Sequence, residues 1–309
     1  MKLGLVGSEM CIRDRTGVTR IGNAATADLN LNGTVYTTGG ATTYASAGTD
    51  LGGSSPTFTT SADTITFGTG NVTIADGTLT VNSVGGLIDF EGSILGTSDE
   101  VLVLNANAAT DGASANEKVI VAAIGTGNQI HSVSITGRDG ITLEGNITTS
   151  NKASNNVSFT GPVSINAATV AIDTDATGND GTVTFSSTID STTGTSRNLD
   201  IVSATGNVTV TGAIGATTAL ASLDINQAGG DGDITLTSNI GADASNPGVT
   251  GVTRIGNTAT ADLNLDGTVY STDGATTFTA VSGGTIDLGG SSPTSVSYTH
   301  LTLPTKSTV

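Results

Sequence analysis

The stretch Gly206-Asn-Val-Thr-Val-Thr-Gly-Ala-Ile214 decides the fold. Val208 and Val210 alternate with Thr209 and Thr211, the period of a β-strand with one buried face. Ile214 returns to the apolar side after a small-residue break. The pattern recurs as VSFTGPV, VTFSSTI, VTVTGAI and ITLTSNI, starting at Val157, Val183, Val208 and Ile234, with spacings of 26, 25 and 26. Positions 1, 3 and 7 of these units give a predicted coil core of Val157, Phe159, Val163, Val183, Phe185, Ile189, Val208, Val210, Ile214, Ile234, Leu236 and Ile240. ITLEGNI (from Ile141), LNLNGTV (from Leu29) and LNLDGTV (from Leu263) follow the same rule, which turns Val35 and Val269 inward.

A third strand follows each unit after a variable gap, at Val170, Leu199, Leu223 and Val252. Gly-Asn and Gly-Asp pairs such as Gly206-Asn207 and Gly232-Asp233 precede many strands, and they are expected to supply positive φ at sharp corners. Thr and Val suit the strand positions because β-branched side chains fit a pleated surface. One such unit cannot bury its own apolar face, but stacked units bury a continuous column. The fold class expected is therefore all-β, a parallel β-helix (β-solenoid) of roughly 25–26-residue coils. At ~4.8 Å per coil, about eleven coils make a rod of roughly 50 Å. A string of Ig-like sandwiches is the alternative, but it needs ~100-residue units of unlike strands.

A longer repeat encloses the short one. Thr16–Thr43 (TGVTRIGNAATADLNLNGTVYTTGGATT) returns as Thr250–Thr277 (TGVTRIGNTATADLNLDGTVYSTDGATT), an offset of 250 − 16 = 234, with 4 of 28 positions changed. DLGGSSPT recurs at Asp50 and Asp287. Nine units with a spacing of 26 would fill one such period, although residues 85–135 fit the short repeat poorly. The chain is expected to be one period of a tandem array plus the start of the next.

The ends break this pattern. Met10-Cys-Ile-Arg-Asp14 can be encoded by ATG TGT ATA AGA GAC. The reverse complement, GTC TCT TAT ACA CAT, encodes Val-Ser-Tyr-Thr-His, the string at Val296–His300. Leu5–Arg15 and Val296–Thr305 resemble translated sequencing adapter. Residues 1–15 and 295–309 are therefore expected to be adapter-derived, and 16–294 to be a single β-solenoid repeat region.

Composition excludes several classes. The 309 residues include 43 Gly, and Thr is still more frequent; aromatics are 3%, charged residues 12%, and Cys occurs once. Net charge is −17, or 6 − 25 = −19 without the two ends. No basic face for nucleic acid can be built. No apolar run reaches the ~18 residues of a membrane helix, and one Cys allows no disulfide framework.

The strings GTVTFSSTID (Gly181–Asp190), Gly206–Ala244 and DGTLTV (Asp76–Val81) resemble the repeat regions of filamentous-haemagglutinin-type adhesins and related autotransporter passengers. The resemblance implies a right-handed β-helix, export through an outer-membrane pore, and an extracellular or outer-surface filament. The expected function is a structural or adhesive repeat region, a stiff stalk without catalysis. Its expected partners are host or environmental surfaces, glycans or matrix, with self-association through open coil ends.

Chemistry has few footholds. His131 stands without Cys or a second His nearby. Paired carboxylates could make a polysaccharide-cleaving site. The candidates Glu91, Asp99, Glu100, Asp111, Glu117, Asp139 and Glu144 lie in 90–144 beside Lys118 and Arg138, a region that reads either as a looped-out insertion or, by preference, as a polar loop on the rod. Gly229–Ile234 approaches a Ca²⁺-binding nonapeptide but has Ile234 where Asp is required. Asp173–Gly178 begins like an EF-hand but lacks its later ligands. No catalytic, cofactor or metal residue is assigned, and weak surface Ca²⁺ binding is the one cofactor expectation. The Asn-x-Ser/Thr triplets at Asn71, Asn146, Asn156 and Asn207 are explained by the corner-to-strand repeat. A third functional alternative, an ice- or surface-binding solenoid, follows from the Thr density.

Overall fold

The computed structural model describes residues 17–61, 63–97, 99–107, 116–175, 178–227, 229–290, 292–297 and 301–302. Residues 1–15 and parts of 295–309, read above as adapter, lie outside the described residues, as does Asp111. The described residues are all-β, with no helix, and make a parallel β-solenoid of about 11 turns. They fall into two compact units, Met1–Lys152 with Phe159–Gly161, and Ala153–Ser158 with Pro162–Val309.

In the first unit, each turn contributes one strand to each of three parallel ladders. The first ladder runs Thr19–Gly22, Thr42–Ala45, Ile65–Phe67, Ile88–Phe90, Lys118–Val121 and Gly140–Leu143. Its inward columns are Thr42, Ile65, Ile88, Val119, Ile141 and Tyr44, Phe67, Phe90, Val121, Leu143. The second runs Leu29–Leu31, Gly48–Leu51, Asn71–Ile74 and Ile94–Leu95, then continues as single bridges through Ile124 to Ile147. The third runs Val35–Thr38, Thr57–Thr60, Thr78–Ser83, Val101–Ala106 and Ser132–Gly137. Thr19 pairs with Thr42, Thr42 with Ile65 and Ile65 with Ile88. The turn is thus about 23 residues long, shorter than the coil length expected from the sequence.

Alternation puts every second side chain inside. Phe58, Phe67, Phe90, Ile94, Leu102 and Leu104 are essentially inaccessible. Register stacks like on like: Tyr36 on Phe58 (4.5 Å, 7°), Tyr44 on Phe67 (5.0 Å, 18°) and Phe67 on Phe90 (4.4 Å, 9°). Several inward hydroxyls of the first unit are satisfied locally. Thr38 and Thr42 share a hydrogen bond of 2.6 Å, and Thr60 Oγ1 donates to the Asp63 carbonyl at 2.6 Å.

The described residues of 90–144 are not looped out, and 85–135, which fits the short repeat poorly, is part of the ladders. They supply regular strands to all three ladders, with one longer turn between the register partners Ile88 and Val119. Residues 108–115, inside that turn, lie outside the described residues.

The second unit repeats the three-ladder plan. Val163–Ile165 and Ile189–Ser191 lead a column continued by Ile214, Ile240 and Tyr270. Thr169–Asp173, Asn198–Val202, Ser222–Ile225, Thr253–Ile255 and Thr276–Phe278 form another. Val183–Phe185, Val208–Val210, Ile234–Leu236, Asp262–Leu265 and Thr285–Asp287 form the last. All twelve residues of the expected coil core are buried. Thr294–Ser297 pairs with Val269–Thr272, and Leu301–Thr302 with Thr276–Thr277.

Two further sequence expectations change. Val35 is 52% exposed, and Tyr36 is buried in its place. In LNLNGTVY and LNLDGTVY the tyrosine hydroxyl accepts a hydrogen bond from the turn glycine: Gly33 N to Tyr36 at 2.7 Å, Gly267 N to Tyr270 at 2.8 Å. The Gly-containing turn thus shifts the return to the inside by one residue, which exchanges faces. Nor do Gly206 and Gly232 take positive φ. They are glycine because there is no room. A Cβ on Gly206 would stand 2.1 Å from the Gly181 carbonyl oxygen, and one on Gly232 would stand 2.1 Å from that of Gly206.

Candidate functional site

With the interior filled, only corners and outward strand positions remain for chemistry. Asn and Asp at the corners of the second unit, in Asn155-Asn156, Gly206-Asn207 and Gly232-Asp233, are backbone staples. Asn156 Oδ1 accepts from Thr182 N at 2.9 Å, Asn207 Oδ1 from Asp233 N at 2.9 Å, and Asp233 Oδ1 from Asp262 N at 3.2 Å. Each side chain satisfies the entering amide of the following turn. This is the structural role of Asn156 and Asn207. Asn71 and Asn146 are exposed.

The carboxylates expected in 90–144 separate into three groups. Glu100 is buried at a corner and accepts hydrogen bonds from the Thr97 amide and hydroxyl and, at 3.2 Å, from Asp99 N. Burial alone would raise its pKa; the hydrogen bonds outweigh that and hold it below the usual carboxylate range. His131 heads the strand Ser132–Gly137, with its amide donating to the Glu100 carbonyl at 2.8 Å. Asp99 is exposed and pairs with Lys152 at 2.6 Å.

Glu117 is fully buried. Arg138 Nε reaches its Oε2 at 2.6 Å and Asp139 Oδ1 at 3.6 Å, while Asp139 Oδ2 accepts from Glu117 N at 3.0 Å. This knot ties one corner to the next; a buried carboxylate is tolerable because a guanidinium neutralises it.

Glu91 and Glu144 belong to an outward group with Asp89, which the sequence pattern does not single out. Asp89 stands in register between Thr66 and Ile120 on the outer face of the first ladder. Burial, then the charges of Glu91 and Glu144, push its pKa up to about 6. A carboxyl group raised in this way keeps its proton at mildly acidic pH. Lys118 is exposed at the head of its own strand.

The second unit carries another outward acidic column that the sequence pattern also leaves unmarked. Asp200 and Asp224 are register partners, and Arg254 follows, its Nη1 3.3 Å from Asp224 Oδ2. Burial first, then Asp224 and Asp173, raise the Asp200 pKa. The only sequence signal for Asp89, Asp200 and Asp224 is their place between two inward apolar residues. Asp173 Oδ1 accepts from Asp175 N at 3.0 Å. Ile234 is a core residue, so the nonapeptide-like stretch aims no ligand outward at that position. Among the described residues no three His, Cys, Asp or Glu side chains gather where they could hold a metal ion.

Thr184, Thr209 and Thr235 are register partners on one outer face of the second unit. The chain matches no protein-family model, no curated protein and no solved structure.

Proposed function

We propose that the chain is a structural and adhesive repeat segment of a secreted or cell-surface protein, a stiff stalk displayed outside the cell. One observation carries this reading. The stretch present twice, at Thr16–Thr43 and Thr250–Thr277, makes the same pairings both times: Thr19 with Thr42 and Thr253 with Thr276, Val35 with Thr57 and Val269 with Thr294. A sequence that rebuilds the same stackable turn wherever it is copied is suited to length, and copying it adds length without new design. Thr-rich outer faces would then meet glycan or matrix surfaces through many weak polar contacts, with acidic charge keeping neighbouring stalks apart. Chains carrying one, two and three periods test this. Electron microscopy should show a constant increment of about 45 Å per period, from ~4.8 Å per turn. Particles that grow in girth instead of length would overturn the proposal.

The outward group Asp89, Glu91 and Glu144 supports a second reading, cleavage of a polysaccharide laid across the first ladder. Turnover of an acidic or neutral polysaccharide that disappears in Asp89→Asn would establish it. Equal, background-level rates in both proteins would exclude it for the substrates tried.

A further inference from the structure

The two copies of the repeated stretch differ at one position with a chemistry of its own. The first reads LNLNGTVY and the second LNLDGTVY, so Asn32-Gly33 stands where Asp266-Gly267 stands later. Asn32-Gly33 is also the sole Asn-Gly pair of the chain. An asparagine carboxamide is open to attack by the main-chain nitrogen of the next residue, and glycine there leaves the approach clear because it has no Cβ. Corner asparagines elsewhere are held differently. Asn207 Oδ1 accepts from Asp233 N, Asn239 Oδ1 accepts from Thr268 N at 2.8 Å, and each is followed by a β-branched residue, Val208 or Ile240.

The two turns are built alike. Gly33 N donates to the Tyr36 hydroxyl and Gly267 N to that of Tyr270, with both tyrosines buried. Asn32 and Asp266 are exposed. Asp266 is exposed although Gly267 packs on Ser238 of one neighbouring turn and Gly289 of the other packs on Asp266 itself, so the position faces outward by its place in the turn. The Asn32 carboxamide oxygen lies against Gly52 as the Asp266 carboxylate lies against Gly289.

We propose that Asn32-Gly33 is a self-modification site, an asparagine that the chain itself converts to aspartate at a rate set by Tyr36. Gly33 N gives its proton to solvent and bonds to Asn32 Cγ; the bond from Cγ to the amide nitrogen breaks, and ammonia leaves. Water then adds to the cyclic imide. Opening at the former side-chain carbonyl gives an ordinary aspartate. Opening at the main-chain carbonyl gives an isoaspartyl link, longer by one carbon. The second copy shows the turn with aspartate in place, its tyrosine hydrogen bond and outward side chain unchanged. A longer main chain between positions 32 and 33 would draw Gly33 off Tyr36 and Val35–Thr38 off its partners Thr57–Thr60, so the stacked turn selects aspartate. Tyr36 restrains the first step, because its hydroxyl holds the proton that has to leave. Burial raises the Tyr36 pKa, so the phenol stays neutral and does not serve as the base. Each conversion adds one negative charge to an acidic chain, and none of this depends on what the outer faces bind.

Incubation of the full chain at neutral pH, followed by peptide mapping by mass spectrometry, tests the proposal. Asn32 should convert well ahead of Asn30 and Asn264, each of which precedes a leucine. Aspartate should be the main product in the folded protein and isoaspartate the main product in urea. Tyr36→Phe should raise the folded-state rate about 2–10-fold, the worth of one hydrogen bond, and keep the preference for aspartate. In urea the variant and the parent should convert at one rate. Asp266→Asn places the reactive pair in the second turn, where it should convert as well, and faster when combined with Tyr270→Phe. Conversion of Asn32 no faster than that of Asn264 overturns the proposal, as does a folded-state rate that neither tyrosine substitution changes. Equal isoaspartate fractions in folded and urea-treated protein overturn selection by the stacked turn.

Discussion

The early turns of the first unit and the middle turns of the second solve one problem with different materials. Between Thr19 and Phe90 a turn takes about 23 residues, and its columns hold stacked rings: Tyr44, Phe67 and Phe90 in one ladder, Tyr36 and Phe58 in another. Between Val183 and Ile240 the turns are two or three residues longer, and most columns are aliphatic, as in Val183, Val208 and Ile234. Glycines press on the neighbouring turn in both regions, as Gly92 does on Gly70 and Gly206 on Gly181, but in the second region Asn or Asp side chains also cap the entering amide of the next turn. One region gains cohesion from what it stacks inside, the other from what it fixes at its edges.

The largest expected effect lies in the rings. Phe67 touches Tyr44, Phe58 and Phe90, so Phe67→Ala should cost about 3–5 kcal/mol. Leu236→Ala in the second unit should fall at the lower end of its ~2–5 kcal/mol range, because no ring pairs are lost with it. Urea unfolding of both variants measures the gap; equal losses would erase the distinction between the regions.

Corner glycines come next. Gly206→Ala has ordinary φ but no space, and should cost about 1–3 kcal/mol through overpacking. Gly194→Ala has open space but a φ of +86°, and should cost about 1 kcal/mol. Asn207→Ala removes a cap and should cost about 1 kcal/mol. If Gly194→Ala proves worse than Gly206→Ala, the stacked corners are looser than the geometry indicates.

The smallest effect is electrostatic. Asp89 has a folded pKa of about 6 against an ordinary 3.8, so the folded state holds its proton more tightly. The associated stability is fully present below about pH 4 and is lost as pH rises through about 6. Asp89→Asn should remove that slope and, given solvent screening, raise stability at pH 7 by less than about 1 kcal/mol. Thermal unfolding between pH 4 and 7 reads it; a slope unchanged in the variant would mean that Asp89 is not its source.

Period-2 alternation makes the second unit legible because its outward residues are Thr, Asp and Asn. Over residues 85–135 the same alternation is masked: Val101, Val103 and Ile120 face outward yet are apolar. The long turn from Ile88 to Val119 also breaks the spacing. Asp89 comes near Glu144 only through stacking across that turn, so the sequence marks Glu91 and Glu144 but hides Asp89 and the group. Val35 is misread from side-chain type alone, because the turn that precedes it sets which face it takes. The corner glycines are legible as special positions, but their cause is not. Close approach of two main chains leaves the same residue in the sequence as a positive φ does.

Parallel ladders direct their hydrogen bonds from turn to turn, along the direction of stacking. Tension applied along that direction would therefore load the ladders as a zipper and release one turn before straining the next. Each release would free about 23 residues, roughly 75–80 Å of extended chain. Tethered under load, a stack of this kind would yield in repeated steps of one turn each and dissipate a pull instead of snapping, and each turn left standing would be a template on which the lost one reforms.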